Sequence, residues 1–312
     1  MRRSALSAGL LAGAAALVLA SATAGNARGP SPGGPIPEAT PVPAGGDPFA
    51  GLRSARPLRD LAPAGVDSAL IRLHRLFPDP SDRLYALCLL TLGTPYQGGC
   101  LGEDREPDTD PLFRLDRTDC TVQVLVLASL LHAHSLEEAR RAMLLANYRS
   151  RGGKREPRYE TRLHFSVDRL ATSPLFADVT AEVCEPASLV EVELTLNRAS
   201  DGSRLVPVAW QRPVRVRYLP ARSVTDGLLD GLPRGLGVIL VRESNFERGL
   251  AASHEGVLFG HELFHASSVE GEAVRVKDFR EYLFPGGEHS APRFDGVVFY
   301  RFRPGKPIRG RP

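Results

Sequence analysis

The 312-residue sequence has little net charge, only four cysteines and no internal repeat. Its 39 basic and 36 acidic side chains leave a formal charge of +3, or +1 if Arg2 and Arg3 depart with a leader. A chain that close to neutral lacks the excess of lysine and arginine that generic nucleic-acid binding requires, so no nucleic-acid partner is expected. Beyond the N-terminal region no segment is long and apolar enough to span a bilayer, which excludes stable membrane insertion. The first cysteine is Cys88, too far along to carry a lipid at a leader's exit. Wholesale disorder is excluded in turn, because 43% of the residues are hydrophobic and can build a core.

What is present begins with Met1-Arg2-Arg3, an apolar stretch over residues 6–20, and Ala22-Thr23-Ala24. A positive flank, a short apolar centre and an A-x-A exit describe a secretory signal peptide over 1–24. The expected location is outside the cytoplasm, periplasmic or secreted. Residues 25–60 are rich in glycine and proline and read as a linker; 304–312 read as a disordered, basic tail. The body, 61–303, reads as one domain.

Helical spacing runs over 66–77, stopped by Pro78. Ser81 is expected to cap a second helix ending near Leu92, and Ser135 with Glu138 forms a capping box for a third. Residues 190–196, 214–218, 238–241 and 297–302 have strand character, and 277–283 a short helix. Helices first and strands later is the order of an α+β fold.

Two stretches carry chemistry. Thr118-Asp119-Cys120 opens an apolar run that reads as a buried helix, with Thr118 or Asp119 as cap and Cys120 in the first turn. A helix N-terminus favours thiolate, as a nucleophile requires; a buried structural cysteine is the alternative. The second stretch holds five residues, His261-Glu262-Leu263-Phe264-His265, that match H-E-x-x-H. On a helix these histidines would bind zinc with Glu262 as general base, and Glu270, Glu272, Glu281 or His289 as conceivable third ligands.

The rival reading is a β-hairpin turning at Gly260-His261, with glycine at the first loop position of a type II′ turn. Phe259 then faces Glu262, Val257 faces Phe264, and Gly256 faces His265. His254 becomes the diagonal neighbour of His265 on one face, at about 7–8 Å between Cα atoms. A cysteine, a base histidine and a second polar residue orienting it form the arrangement of a cysteine hydrolase. Exposed hairpin histidines without a catalytic role are the plain alternative.

The sequence resembles the NlpC-type papain-like cell-wall cysteine peptidases, and within them the N-acetylmuramoyl-L-alanine amidase-like branch. The pieces are Leu92-Gly93-Thr94-Pro95-Tyr96, Leu115-Asp116-Arg117-Thr118-Asp119-Cys120-Thr121, Asn147-Tyr148-Arg149 and Thr161-Arg162-Leu163-His164-Phe165, followed by Gly249-Leu250-Ala251-Ala252-Ser253-His254-Glu255-Gly256 and His265-Ala266-Ser267-Ser268. The resemblance implies a papain-like fold with N-terminal helices packed on an antiparallel sheet. It implies hydrolysis of an amide bond in peptidoglycan or muropeptides, between the lactyl group of N-acetylmuramic acid and L-alanine, with no cofactor or metal. Cys120 would be the nucleophile, His254 the base and His265 its orienting partner, with Tyr96 near the oxyanion. Asp119, Arg162, His164 and Ser253 would contact substrate. His74, His132, His134 and His289 match nothing and read as structural.

The sequence departs from the pattern in four places: Gln123 replaces an aromatic, Leu125 an acid, Glu255 an apolar residue after the base, and the stretch before Leu236-Gly237-Val238-Ile239 lacks a Gly-Asp pair. A zinc metallopeptidase and a non-catalytic wall-binding protein are the other functional readings. With Cys120 kept reduced and Cys88 buried, any disulfide is expected to join Cys100 to Cys184.

Overall fold

Proline and aspartate set the first two helices. Pro63 begins α1 (Pro63–Leu76), where its missing N–H costs nothing. Asp79 caps α2 (Pro80–Thr91) by accepting the N–H groups of Ser81 and Asp82, so the cap is Asp79 and Ser81 lies inside the first turn. The computed structural model describes Gly34 and residues 46–304. The helix opened by Cys120 is α3 (Cys120–Leu130), buried on nearly every side. Ser135 Oγ caps α4 (Leu136–Asn147) through the Glu138 N–H, while the Glu138 carboxylate accepts from His134 N–H. A shorter helix, α5 (Ser166–Thr172), closes the helical half.

The strands follow: β1 (Phe176–Asp178), β2 (Val190–Leu196), β3 (Arg212–Pro220), β4 (Leu236–Val241), β5 (Ala252–Phe259), β6 (Glu262–Ser267), β7 (Glu272–Val276) and β8 (Gly296–Phe302). Three short helices, α6 (Thr180–Val183), α7 (Asp226–Gly231) and α8 (Phe279–Leu283), lie between them. The sheet runs β2-β3-β8-β4-β5-β6-β7, with β1 also on β8, and every pairing is antiparallel. The architecture is α+β.

Period-two alternation divides the core. In β4, Ile239 and Val241 face the α1–α4 side, while Leu236, Val238 and Leu240 face the side covered by α7 and α8. In β8, Val298 and Tyr300 take the first side, Val297 and Phe299 the second. Burial on both faces explains why β4 reads as a continuous apolar run.

The linker expectation over 25–60 is corrected at its C-terminal end. Phe49, Leu52 and Leu58 are buried in the helix-side core, on 3-10 turns at Ala50–Ser54 and Leu58–Asp60. Three large apolar side chains outweigh the glycine and proline around them, and Phe49 stacks on Phe77 at 4.9 Å. The packed unit therefore includes these turns, upstream of residue 61. The signal-peptide stretch and most of the tail lie outside the described residues. No helix among those described is long and apolar enough to cross a membrane.

Candidate active site

Asp119 fixes where Cys120 stands. One Asp119 oxygen accepts the Val122 N–H at 2.7 Å and the other accepts the Gly99 N–H at 2.8 Å. The cap thus ties the start of α3 to the preceding loop and holds Cys120, half-buried, in the first helical turn. Both carboxylate oxygens accept backbone N–H groups, so Asp119 positions the helix start. Tyr96 lies beside the same corner, bridged through its backbone to Thr118.

The histidines come from the hairpin. Its register is Phe259 with Glu262, Leu258 with Leu263 and Val257 with Phe264. Gly260 takes φ +57 and His261 does not adopt positive φ, as a II′ turn requires. Gly256 is obligatory for close approach: a Cβ there would lie 2.6 Å from the Phe264 carbonyl oxygen and 3.1 Å from His265 Cβ. The room it leaves lets His254 Nε2 meet His265 Nδ1 at 2.8 Å, with the rings edge to face. An irregularity in the β4–β5 pairing places Ser253, exposed, just before His254.

The Cys120 sulfur sits against the backbone N–H of Glu255, the residue after His254. Tyr96 and Tyr282 lie close enough that a charge on the sulfur would raise their phenols. His254 Nε2 is taken by His265, which leaves Nδ1 as the ring atom outside that bond.

Electrostatics reverse the simple helix-terminus expectation. Burial pushes the Cys120 thiol up to about 12, and the carboxylates of Asp119 and Glu255 push the same way, against the Glu255 N–H and Thr121 hydroxyl. Burial lowers His254 to about 3, reinforced by His265 and Arg293, and lowers His265 to about 4. At rest the groups are a neutral thiol and neutral imidazoles, without a preformed ion pair. Burial also raises Tyr96 to about 12, helped by Cys120 and Asp119, so it remains a phenol able to donate.

Glu255, the departure from an apolar residue, is compensated. It faces the helices, 1% exposed, paired with the fully buried Arg169. Thr121 and Ser166 hydroxyls donate to it at 2.6 and 2.8 Å. Gln123 is not compensated: it is buried and neither amide atom has a partner. Leu125 packs in the helix-side core.

Arg162 serves the loop before Asp119, and His164 the 3-10 turn that precedes it. Arg162 bridges Glu103 and Asp108, and His164 Nε2 lies 2.8 Å from the Tyr159 carbonyl. Both are engaged with protein groups. His74 stacks on His134 at 3.9 Å, on α1 and the α3–α4 connection.

The zinc constellation does not form. Its histidines need a helical turn between them, but Glu262 to His265 is strand. His261 sits in the turn, bonded to Asp230 at 3.0 Å, while His265 faces His254. No group of three potential metal ligands occurs among the described residues. The Cys100–Cys184 bridge is likewise absent: all four cysteines are free, and these two belong to cores on opposite faces of the sheet.

Three residues of the site carry no sequence signal. Phe294 stacks parallel to His254 at 6.1 Å, Tyr282 lies 5.0 Å from His265, and Arg293 covers Tyr282 with Cζ 4.5 Å from the ring centre. They come from α8 and the loop after it, where no spacing rule connects them to β5 or β6.

A helix-capped cysteine set against a paired-histidine hairpin in an α+β fold is a hydrolase-like arrangement. The chain belongs to the AmiA-like, N-acetylmuramoyl-L-alanine amidase-like family, whose model matches residues 87–285. Among solved structures it is similar to a Legionella pneumophila protein described by a domain-of-unknown-function family model, at 22% identity and TM-score 0.60, over 78% of this chain and 97% of that one. It is also similar to an N-acetylmuramoyl-L-alanine amidase from Bacteroides uniformis, at 18% identity and TM-score 0.58, over 72% and 99%. At these identities the likeness is one of fold. No curated protein matches the sequence.

Proposed function

We propose that this protein is an exported, papain-like cysteine hydrolase of the NlpC type that acts on peptidoglycan or muropeptides as an N-acetylmuramoyl-L-alanine amidase. The observation that carries the reading is the junction of Cys120, at a capped helix start, with the β5 strand bearing the hydrogen-bonded His254–His265 pair. Family membership supports the substrate class.

The chemistry follows from the proton positions. With His254 Nε2–H donating to His265 Nδ1, His254 Nδ1 accepts the Cys120 proton as sulfur attacks the lactyl carbonyl. Tyr96 donates to the developing oxyanion. Collapse breaks the C–N bond, His254 returns the proton to the alanine amine, and a muramoyl thioester remains on Cys120. Water, deprotonated by His254, then releases the muramoyl carboxylate and restores the thiol.

The test is hydrolysis of N-acetylmuramoyl-L-alanyl peptides. Cys120→Ala should abolish it, His254→Ala should do the same, and His261→Ala and chelators should leave it unchanged. Activity that survives Cys120→Ala but dies with chelation and His261→Ala would restore the zinc reading. Binding of muropeptides without turnover by the unaltered chain would make it a wall-binding protein.

A further inference from the structure

Beside the histidine pair stands a wall of two aromatic rings and two guanidinium groups. Tyr282 and Phe294 stack on each other at 6.1 Å, and each also faces a histidine of the site. Arg293 lies over Tyr282, and Arg242 lies over Phe294 with Cζ 5.3 Å from its centre. The two arginines are linked, since Arg242 Nη2 donates to the Arg293 carbonyl at 2.7 Å.

Neither guanidinium has a carboxylate partner among the described residues, although many other close basic–acidic contacts there, several of them on exposed faces, are satisfied. The acids adjacent to them in sequence are already engaged: Asp295 accepts the Glu243 N–H, and Glu243 accepts the Tyr218 hydroxyl. Arg293 and Arg242 are both exposed, while the rings beneath them are buried or half-buried. The charge of Arg293 reaches the centre itself, because it helps depress both His254 and His265. Arg293 also hydrogen-bonds the Tyr282 phenol, and an arginine braced over an aromatic ring in this way keeps the rest of its N–H fork preorganised to receive a planar anion.

We propose that Arg293 and Arg242, braced on Tyr282 and Phe294, form a carboxylate-recognition subsite beside the Cys120–His254 centre, selecting substrates whose peptide carries a free carboxylate. The proposal rests on the amidase reading for its substrate class. On the acyl side the sugar must lead away from the scissile carbonyl; on the leaving side an acidic stem peptide supplies carboxylates a residue or so beyond the alanine. The cationic wall suits the leaving side. Its contribution is to binding and orientation, with Arg293 and Arg242 as specificity-determining residues and no share in the proton transfers.

The probes are N-acetylmuramoyl-L-alanyl-D-glutamate and its diamide, titrated calorimetrically into the full chain bearing Cys120→Ala so that no turnover intervenes. The diacid should bind about tenfold or more tightly than the diamide, an expectation from the strength of charge-assisted guanidinium–carboxylate bonds. Adding Arg293→Gln should remove most of that preference, Arg293→Lys should restore part of it, and the preference should weaken in high salt. Equal binding of the two probes, failure of both to bind, or a preference that survives Arg293→Gln combined with Arg242→Gln would overturn the subsite. Turnover is measured separately on the unaltered chain. Absence of hydrolysis with the binding preference intact would remove the amidase reading and leave the subsite standing.

Discussion

The Arg169–Glu255 pair offers a quantitative test of how the site is supported. Both side chains are essentially inaccessible, at 0% and 1% exposure, and Arg169 leaves Nε and Nη1 without partners. Desolvation of the guanidinium is therefore only partly offset by one carboxylate and by its position 5.1 Å over the Phe176 ring. Removing one partner strands the other charge in the core, which costs about 3–5 kcal/mol, whereas replacing both with apolar groups is often neutral or stabilising. Glu255→Leu and Arg169→Met should each lower stability by that amount, or about 10 °C in melting temperature for a domain of this size. The double variant should return to within about 1 kcal/mol of the unaltered protein. Denaturant unfolding of the four proteins, with a constant m-value, gives the coupling directly. Single variants that cost less than about 1 kcal/mol, or losses that simply add in the double variant, would refute the argument that this is one buried, mutually dependent pair. The same cycle has a chemical readout. The Glu255 carboxylate is one of the groups holding Cys120 up, so the double variant should react faster with iodoacetamide at neutral pH than the unaltered protein.

Three further outcomes are expected. Gly256→Ala should abolish hydrolysis at a stability cost of only about 1–3 kcal/mol, because the new methyl group must displace the Phe264 backbone or His265; a folded, fully active Gly256→Ala protein would contradict the packing argument. His74, His164, His254 and His265 are all depressed to about 3–4, chiefly by burial, so the unfolded chain binds more protons than the folded one between about pH 6.5 and 3. Stability should thus be flat above the ordinary histidine range and fall as pH drops through that window, and urea midpoints that rose on acidification would carry the wrong sign. Gln123→Met should raise stability by about 1–3 kcal/mol, the cost of an unpartnered buried amide, and a lower melting temperature would point to a partner for that amide.

The hairpin was legible because alternation and a glycine turn fix register, so residues 254–265 alone specify which histidines meet. The start of α3 was equally plain, since an aspartate before an uninterrupted apolar run has few other roles. Charge regulation was not legible. Whether Cys120 is a thiol or a thiolate depends on burial and on Glu255, brought within reach by tertiary packing from 135 positions away in sequence. The apparent misfit at Glu255 could not be interpreted without Arg169, which no local pattern links to it. Arg293, Tyr282 and Phe294 escaped for the same reason: they reach the site through α8 and its following loop, with no motif of their own. Composition misled at residues 47–60, where glycine and proline content hid three core side chains.

Covalent catalysis at Cys120 is tested by the mass of the protein quenched in acid during turnover of a muropeptide. A muramoyl thioester adduct is expected, confined to the peptide containing Cys120, absent from Cys120→Ala and formed more slowly in His265→Ala. Sustained hydrolysis with no adduct at any time, and at an undiminished rate in Cys120→Ala, would contradict it.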